Sequence, residues 1–298
     1  MTRVPPSRSG AWLHAFRIPT LSASLVPVLV GTVVAWRHGA LEPIAATAAL
    51  VGAIAIQIGT NLANDLFDFR KGADPPERIG PPRVLPMGWL TASDVRTGIV
   101  MAFGIATVAG AYLVALRGWP VLAIGVASIA AGLAYTAGPW ALAYTGLGDL
   151  FVFLFFGFVA VIGTYYVQTG TVDPEAVLAA IPVGALATAI LVVNNLRDVD
   201  TDRAARKRTL AVLLGRGGAR AEFAALLGAA FVVPLALWAQ GLRSAWILLP
   251  FGVAMLATRT LQTVFEHEDG PSLNRALIDA AQLHLLFGLL FATGLALG

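Results

Sequence analysis

Cysteine is absent from the 298 residues, which excludes disulfides and thiolate metal ligands outright. Charge is scarce as well: 12% of residues are Asp, Glu, Lys or Arg, against 57% hydrophobic. No glycine-rich P-loop and no dinucleotide fingerprint occurs, so a nucleotide cofactor is not expected. The four histidines, His14, His38, His267 and His284, form no spaced cluster and are not expected to be catalytic. What fills the chain instead is hydrocarbon.

Mean hydropathy is +0.77, and apolar runs long enough to cross roughly 30 Å of lipid recur from end to end. Nine are expected, at about 20 to 36, 44 to 64, 94 to 116, 119 to 136, 149 to 168, 175 to 195, 222 to 240, 244 to 263 and 278 to 297. All should be helices, because lipid leaves backbone groups no water to bond and the runs lack the alternation of a barrel. The expected fold class is therefore all-α, a polytopic membrane protein in which residues 1–298 form a single transmembrane domain around a central cavity. The first run is too long for a secretory signal and is followed by many more spans.

Basic residues orient the bundle, since Lys and Arg are retained on the cytoplasmic side. With the N-terminus inside, every one of the twenty except Arg37, Arg117 and Arg243 falls on the inner side. The odd span count then puts the C-terminus outside. The net charge of +3 follows from this topology and from anionic lipid, not from a nucleic acid partner. Gly104, Gly110, Gly125 and Gly132 are expected to permit close helix packing.

Two inner connections are long and polar, about 65 to 93 and about 196 to 221, and each opens on amides followed by acids. In NLANDLFDFRKGAD, a continuing helix places Asn61, Asn64, Asp65 and Asp68 at i, i+3, i+4 and i+7, on one face. Gly72 is expected to end that helix and let Asp74 fold back. In NNLRDVDTD, which follows Asn194, residues Asn195, Asp198 and Asp202 repeat the logic, and Asp200 falls off the face. Amides and carboxylates in a span are expensive and normally line a site. Acids massed there repel one another unless a cation holds them, and oxygen ligands with leftover phosphate oxygens are what Mg²⁺ prefers. Arg17, Arg70, Lys71, Arg78, Arg83, Arg197, Lys207 and Arg208 supply the bases for an anionic group. A diphosphate carried on something lipid-soluble fits both sets.

These motifs, with ERIGPPRVL from Glu77, LAYTAGPWALAYTGLGDLFVFLFFG from Leu133, KRTLAVLLG from Lys207 and LNRAL from Leu273, resemble the UbiA superfamily of intramembrane prenyltransferases across the whole chain. Within it they are most similar to the branch that prenylates 1,4-dihydroxy-2-naphthoate in menaquinone biosynthesis. There the third acid of the first motif lies where Asp74 stands, two residues past Gly72. Asp149 replaces a Glu of that branch, and Pro86-Met87 replaces a small polar residue.

The resemblance implies Mg²⁺-dependent transfer of a polyprenyl group from its diphosphate to the naphthoate in the cell membrane, with decarboxylation. It implies metal binding by Asn64, Asp65, Asp68, Asp198 and Asp202. Asp65, Asp68, Asp74, Asp198 and Asp202 are the catalytic acids, and Arg17, Asn61, Lys71, Arg78, Tyr135, Asn195, Arg197 and Asp149 the substrate contacts. Phe151, Phe153, Phe155 and Phe156 are candidates to shield an allylic cation. Other acceptors, 4-hydroxybenzoate, homogentisate, a glyceryl ether lipid or haem, stay open, and so does a cation-coupled transporter, whose acids would lie near the midplane.

Overall fold

The computed structural model describes residues 6–72, 80, 82–137 and 141–298. Asp74 and Arg78 lie outside the described residues. Helices are the only regular elements among those described: α1 Arg8–Phe16, α2 Ser22–Arg37, α3 Pro43–Arg70, α4 Ala92–Arg117, α5 Trp119–Ala134, α6 Gly148–Val152, α7 Ala160–Thr169, α8 Pro174–Arg197, α9 Val199–Ala204, α10 Leu210–Ala239, α11 Ala254–Glu266 and α12 Gly270–Leu297. Of the four π and 3₁₀ elements among the described residues, two join rods. Phe153–Val159 winds as π-helix between α6 and α7, and Ala245–Val253 as 3₁₀ helix into α11.

Each apolar segment expected from the sequence corresponds to a helix. By length and composition, eight helical rods among the described residues suffice to cross a membrane, and α5 is a shorter apolar helix. At 16 residues, α5 spans roughly 24 Å, less than the hydrocarbon thickness. Past its apolar run α3 continues to Arg70, as the polar stripe and Gly72 led one to expect, whereas α12 begins earlier than expected, already at Gly270. The second polar connection, expected over 196 to 221, is largely helical, holding α9 and the start of α10. A hydropathy window stops at the first charges, whereas the backbone ladder continues into the headgroup zone until a cap ends it.

The core sits around α8, which packs against α2, α7, α10 and α12 and is the most completely buried span. Its crossing with the π-helical segment is close because both contacts are glycine. A Cβ on Gly157 would lie 2.9 Å from the Ala180 carbonyl oxygen, and one on Gly184 would lie 2.8 Å from that of Phe153. Of the four glycines expected to pack closely, only Gly132 does, with a virtual Cβ 2.3 Å from Thr60 Oγ1; Gly104, Gly110 and Gly125 face open space. Gly110 and Gly125 line a cavity, and a missing side chain there leaves volume rather than contact.

Charge stays polarised in three dimensions. Arg37 and Arg243 meet at Glu175, and Arg117 bonds the Val167 and Gln168 carbonyls, all at the bundle end opposite the acidic motifs.

Candidate active site

The first motif is the buried C-terminal end of α3. Asn61, Asn64, Asp65 and Asp68 are all buried, as one shared helix face requires. Lys71 caps the helix, and Gly72 follows in the left-handed conformation at φ +66°, which suits a residue without Cβ. Asp65, only 2% exposed, is held by the guanidiniums of Arg17 and Arg83. Asp68 Oδ2 lies 3.8 Å from Arg83 and 3.9 Å from Lys207 Nζ. Asn64 Oδ1 accepts a 2.7 Å bond from the Thr136 hydroxyl.

Asn61 does something the spacing did not indicate. Its Nδ2 donates to the Phe16 carbonyl at 3.1 Å and to Thr20 Oγ1 at 3.3 Å. These two bonds straddle Arg17, a non-glycine residue at φ 54° that ends α1. Such a backbone costs about 1–3 kcal/mol and persists where its surroundings fix it. Asn61 thus pins the turn that aims Arg17 at Asp65.

The second motif breaks where one helix was expected. α8 ends at Arg197, and Asp198 caps it before α9. The Asp202 N–H still bonds the Asp198 carbonyl at 2.8 Å, so the facing survives the break. Asp202 is buried, and Asp200, its side chain 71% exposed, pairs with Arg203 and Arg216 away from the site. Asp198 is gripped in a bidentate pair by Arg197, at 2.8 and 2.6 Å. Arg197 also donates to Asn194 at 2.9 Å and to Asn274 at 2.8 Å, so its fork is largely spent on its own shell. Asn195 is buried one turn deeper.

One ammonium joins the two motifs. Lys207 Nζ lies 3.9 Å from Asp68 Oδ2 and 3.7 Å from Asp202 Oδ1, so carboxylates from α3 and α9 share a counter-ion. Tyr135 stands among the same charges, its phenol acted on by Asp149, Asp202, Asp68 and Arg17. Asp149 is buried, and the neighbouring Gly148 leaves room for Tyr135, whose hydroxyl would sit 3.5 Å from a Cβ there.

Below this charged mouth lies a partly open apolar cavity of about 630 Å³ lined by α2, α3, α4, α5 and the α6–α7 rod, with Tyr135 and Leu142 at its charged end and Val121, Leu122 and Val167 towards the other. Phe151, Phe155 and Phe156 line it, and the first two stack with centroids 5.9 Å apart. Val152, Val159, Gly163 and Val167 line it too, so one face of the α6–α7 rod, continued through the π segment, borders the cavity. Phe153 is the exception: it packs on Phe158 and the α8 core, outside the cavity.

Sequence reasoning named Arg83 and Lys207 only among the bases around the acids, and gave no site role to Tyr144 or Asn274. Arg83 is placed by its neighbours Val84 and Leu85, buried with Ala11, Ala15, Leu62 and Leu66. A charged residue beside an apolar pair inside a polar loop was the available signal. For Tyr144 there was none.

Oxygen donors only, buried and balanced by bases, suit a hard divalent cation. Among the described residues, three His or carboxylate ligand atoms come within 4.8 Å of one another only at the other end, in His38, Asp173 and Glu175. There Glu175 is already held by Arg243 and Arg37, and His38 Nδ1 lies 2.9 Å from the Tyr165 hydroxyl. That group reads as an ion-pair network tying α2, α7 and α8 together.

A charged mouth over an apolar cavity inside a helical membrane bundle defines an intramembrane enzyme for substrates with a polar head and a hydrocarbon tail. The model of the UbiA prenyltransferase family matches residues 24–297, and the chain belongs to that family. It is 36% identical over 303 residues to the 1,4-dihydroxy-2-naphthoate octaprenyltransferase of Escherichia coli K12, covering 100% of this chain and 98% of that protein. The protein of the same name from Mycobacterium tuberculosis H37Rv is 37% identical, over 96% of this chain and 97% of its own length. Among solved structures, a UbiA homolog from Aeropyrum pernix K1 matches with a TM-score of 0.65 at 15% identity, covering 93% of this chain and 97% of that one. One from Archaeoglobus fulgidus bound to GPP and Mg²⁺ matches at 0.59 and 13%, covering 94% and 99%. At such identities the structures speak for the fold alone.

Proposed function

We propose that the protein transfers a polyprenyl group from polyprenyl diphosphate to 1,4-dihydroxy-2-naphthoate, releasing CO₂ and diphosphate and yielding the quinol form of demethylmenaquinone. The observation that carries this reading is the single Lys207 ammonium shared by Asp68 and Asp202, at the mouth of a cavity suited to a hydrocarbon chain. The names of the full-length relatives support the acceptor.

On this reading Asn64, Asp65, Asp68, Asp198 and Asp202 hold Mg²⁺, with Asp74 added from the first motif. Bound there, the metal supplies positive charge where the leaving diphosphate gathers negative charge. Arg17, Lys71, Arg78 and Tyr135 contact the diphosphate, while Asn61, Asn195 and Arg197 orient the groups that do. The prenyl chain lies in the cavity, where Phe151, Phe155 and Phe156 keep water from the allylic carbon as its bond to oxygen breaks. The ring carbon bearing the carboxylate forms the new bond to that carbon. Loss of CO₂ from the ring carbon returns the electron pair to the ring and restores aromaticity, so no ring proton is released. Asp149, buried beside Tyr135, lies at the acceptor. The acidic motifs and the N-terminus face the cytoplasm, and the C-terminus lies outside, in the plasma membrane.

Membranes containing the protein, incubated with radiolabelled polyprenyl diphosphate, Mg²⁺ and each acceptor in turn, test this. Prenylated product and CO₂ are expected with dihydroxynaphthoate. Product with 4-hydroxybenzoate or homogentisate and none with dihydroxynaphthoate would overturn the acceptor.

A further inference from the structure

We propose that Tyr144 is a positioning residue for the donor: its ring holds Lys71 and Lys207, one cation from beside each acidic motif, where they receive the diphosphate. This rests on the reading of the mouth as a diphosphate site. Lys71 Nζ lies 4.7 Å and Lys207 Nζ 5.2 Å from the centroid of the Tyr144 ring. Both are within the range over which an aromatic face attracts an ammonium. The Tyr144 hydroxyl is 3.5 Å from Asp68 Oδ1, so the same side chain also touches the first motif's acid.

The ring is itself fixed. Tyr144 closes the 3₁₀ turn Leu142–Tyr144, and that turn is tied to the end of α5 by the Ala143 N–H bonding the Tyr135 carbonyl at 2.9 Å. Lys71 is further held by the Thr136 carbonyl at 2.7 Å. Tyr135, Thr136 and Tyr144 thus place both lysines from one scaffold, while the lysines themselves belong to segments far apart in the chain. A carboxylate in the place of this ring would fix the lysines too, but it would cancel their charge. A π face orients an ammonium without adding a negative charge to those of Asp68 and Asp202, which Lys207 already meets. Two such charges presented side by side suit a ligand carrying several negative oxygens, and the diphosphate end of the donor is that ligand.

Purified protein in detergent, titrated calorimetrically with inorganic diphosphate and Mg²⁺, supplies the first readout. Tyr144→Leu is expected to weaken binding about tenfold, and Tyr144→Phe, which keeps the ring, to stay within about threefold. In turnover, Tyr144→Leu should raise KM for the prenyl diphosphate by the same factor and leave KM for the acceptor unmoved. In a Lys71→Ala/Lys207→Ala background, adding Tyr144→Leu should weaken binding no further. Equal binding by the Leu variant, equal damage by Phe and Leu, a parallel rise in acceptor KM, or further loss in the lysine-free background would each overturn the role of Tyr144. Failure of the wild-type protein to bind diphosphate with Mg²⁺ would instead bring down the reading of the mouth, and the Tyr144 proposal with it.

Discussion

The two acidic motifs balance their charge in opposite ways. In the first, Asp65 and Asp68 are buried and meet bases from elsewhere: Arg17 lies 48 residues before Asp65, Arg83 comes from the following loop, and Lys207 comes from the far motif. In the second, Asp198 is held by its neighbour Arg197, and Asp200 by Arg203 one turn on. A carboxylate taken out of water must be paired wherever a partner can be brought, whereas one near solvent can use whatever base its own turn supplies. The first motif therefore draws its bases from across the bundle. In the second, Asp198 and Asp200 each find a base within their own turn, with Arg216, Lys207 and Asn274 added from outside α8 and α9.

Asp65→Asn should break the site most severely, lowering turnover at saturating donor by about 10³-fold, because it removes charge from the most buried acid. Retention of full metal-dependent transfer by both Asp65→Asn and Asp198→Asn would defeat the proposed mechanism. Next in size is the loss of long-range pairing. Arg17→Gln and Arg83→Gln each leave Asp65 one guanidinium, but together they leave it none, at a cost of about 3–5 kcal/mol. Thermal unfolding of the two single variants and the double variant should accordingly show a combined loss larger than the sum of the singles. The smallest effect belongs to the second motif: Asp200→Asn should hold activity within about twofold and stability within about 0.5 kcal/mol. A large loss there would erase the contrast between buried and solvated acids.

Local periodicity read the faces correctly. The i, i+3, i+4, i+7 stripe on α3 is buried, Gly72 ends that helix, and Asp200 points away from Asp202. What it could not read is which neighbour each face meets. The run from Phe151 to Phe156 offered four similar aromatics, and the packing of α8 against one face of the rod separates Phe153, on the core side, from the three in the cavity. Asn61 shares the polar face of the candidate site, and only the fold shows that its amide is bound to the Arg17 turn. The glycines were expected at helix contacts, but three of the four face open space. A glycine permits both close approach and a void, and only a neighbour's position decides between them.

Composition and hydropathy by themselves determined that this is an all-helical membrane protein, since lipid allows an apolar chain few other forms. The spacing of amides and acids determined which helix faces are polar, because 3.6 residues per turn is a local rule. Which base meets which acid, that Lys71 and Lys207 share the ring of Tyr144, and that the α3–α5 side borders a cavity while α8 is packed solid, were decided by tertiary structure. Each depends on distances between segments remote in sequence. Those distances are set by which side chains fill the space between helices, a quantity that no local spacing contains.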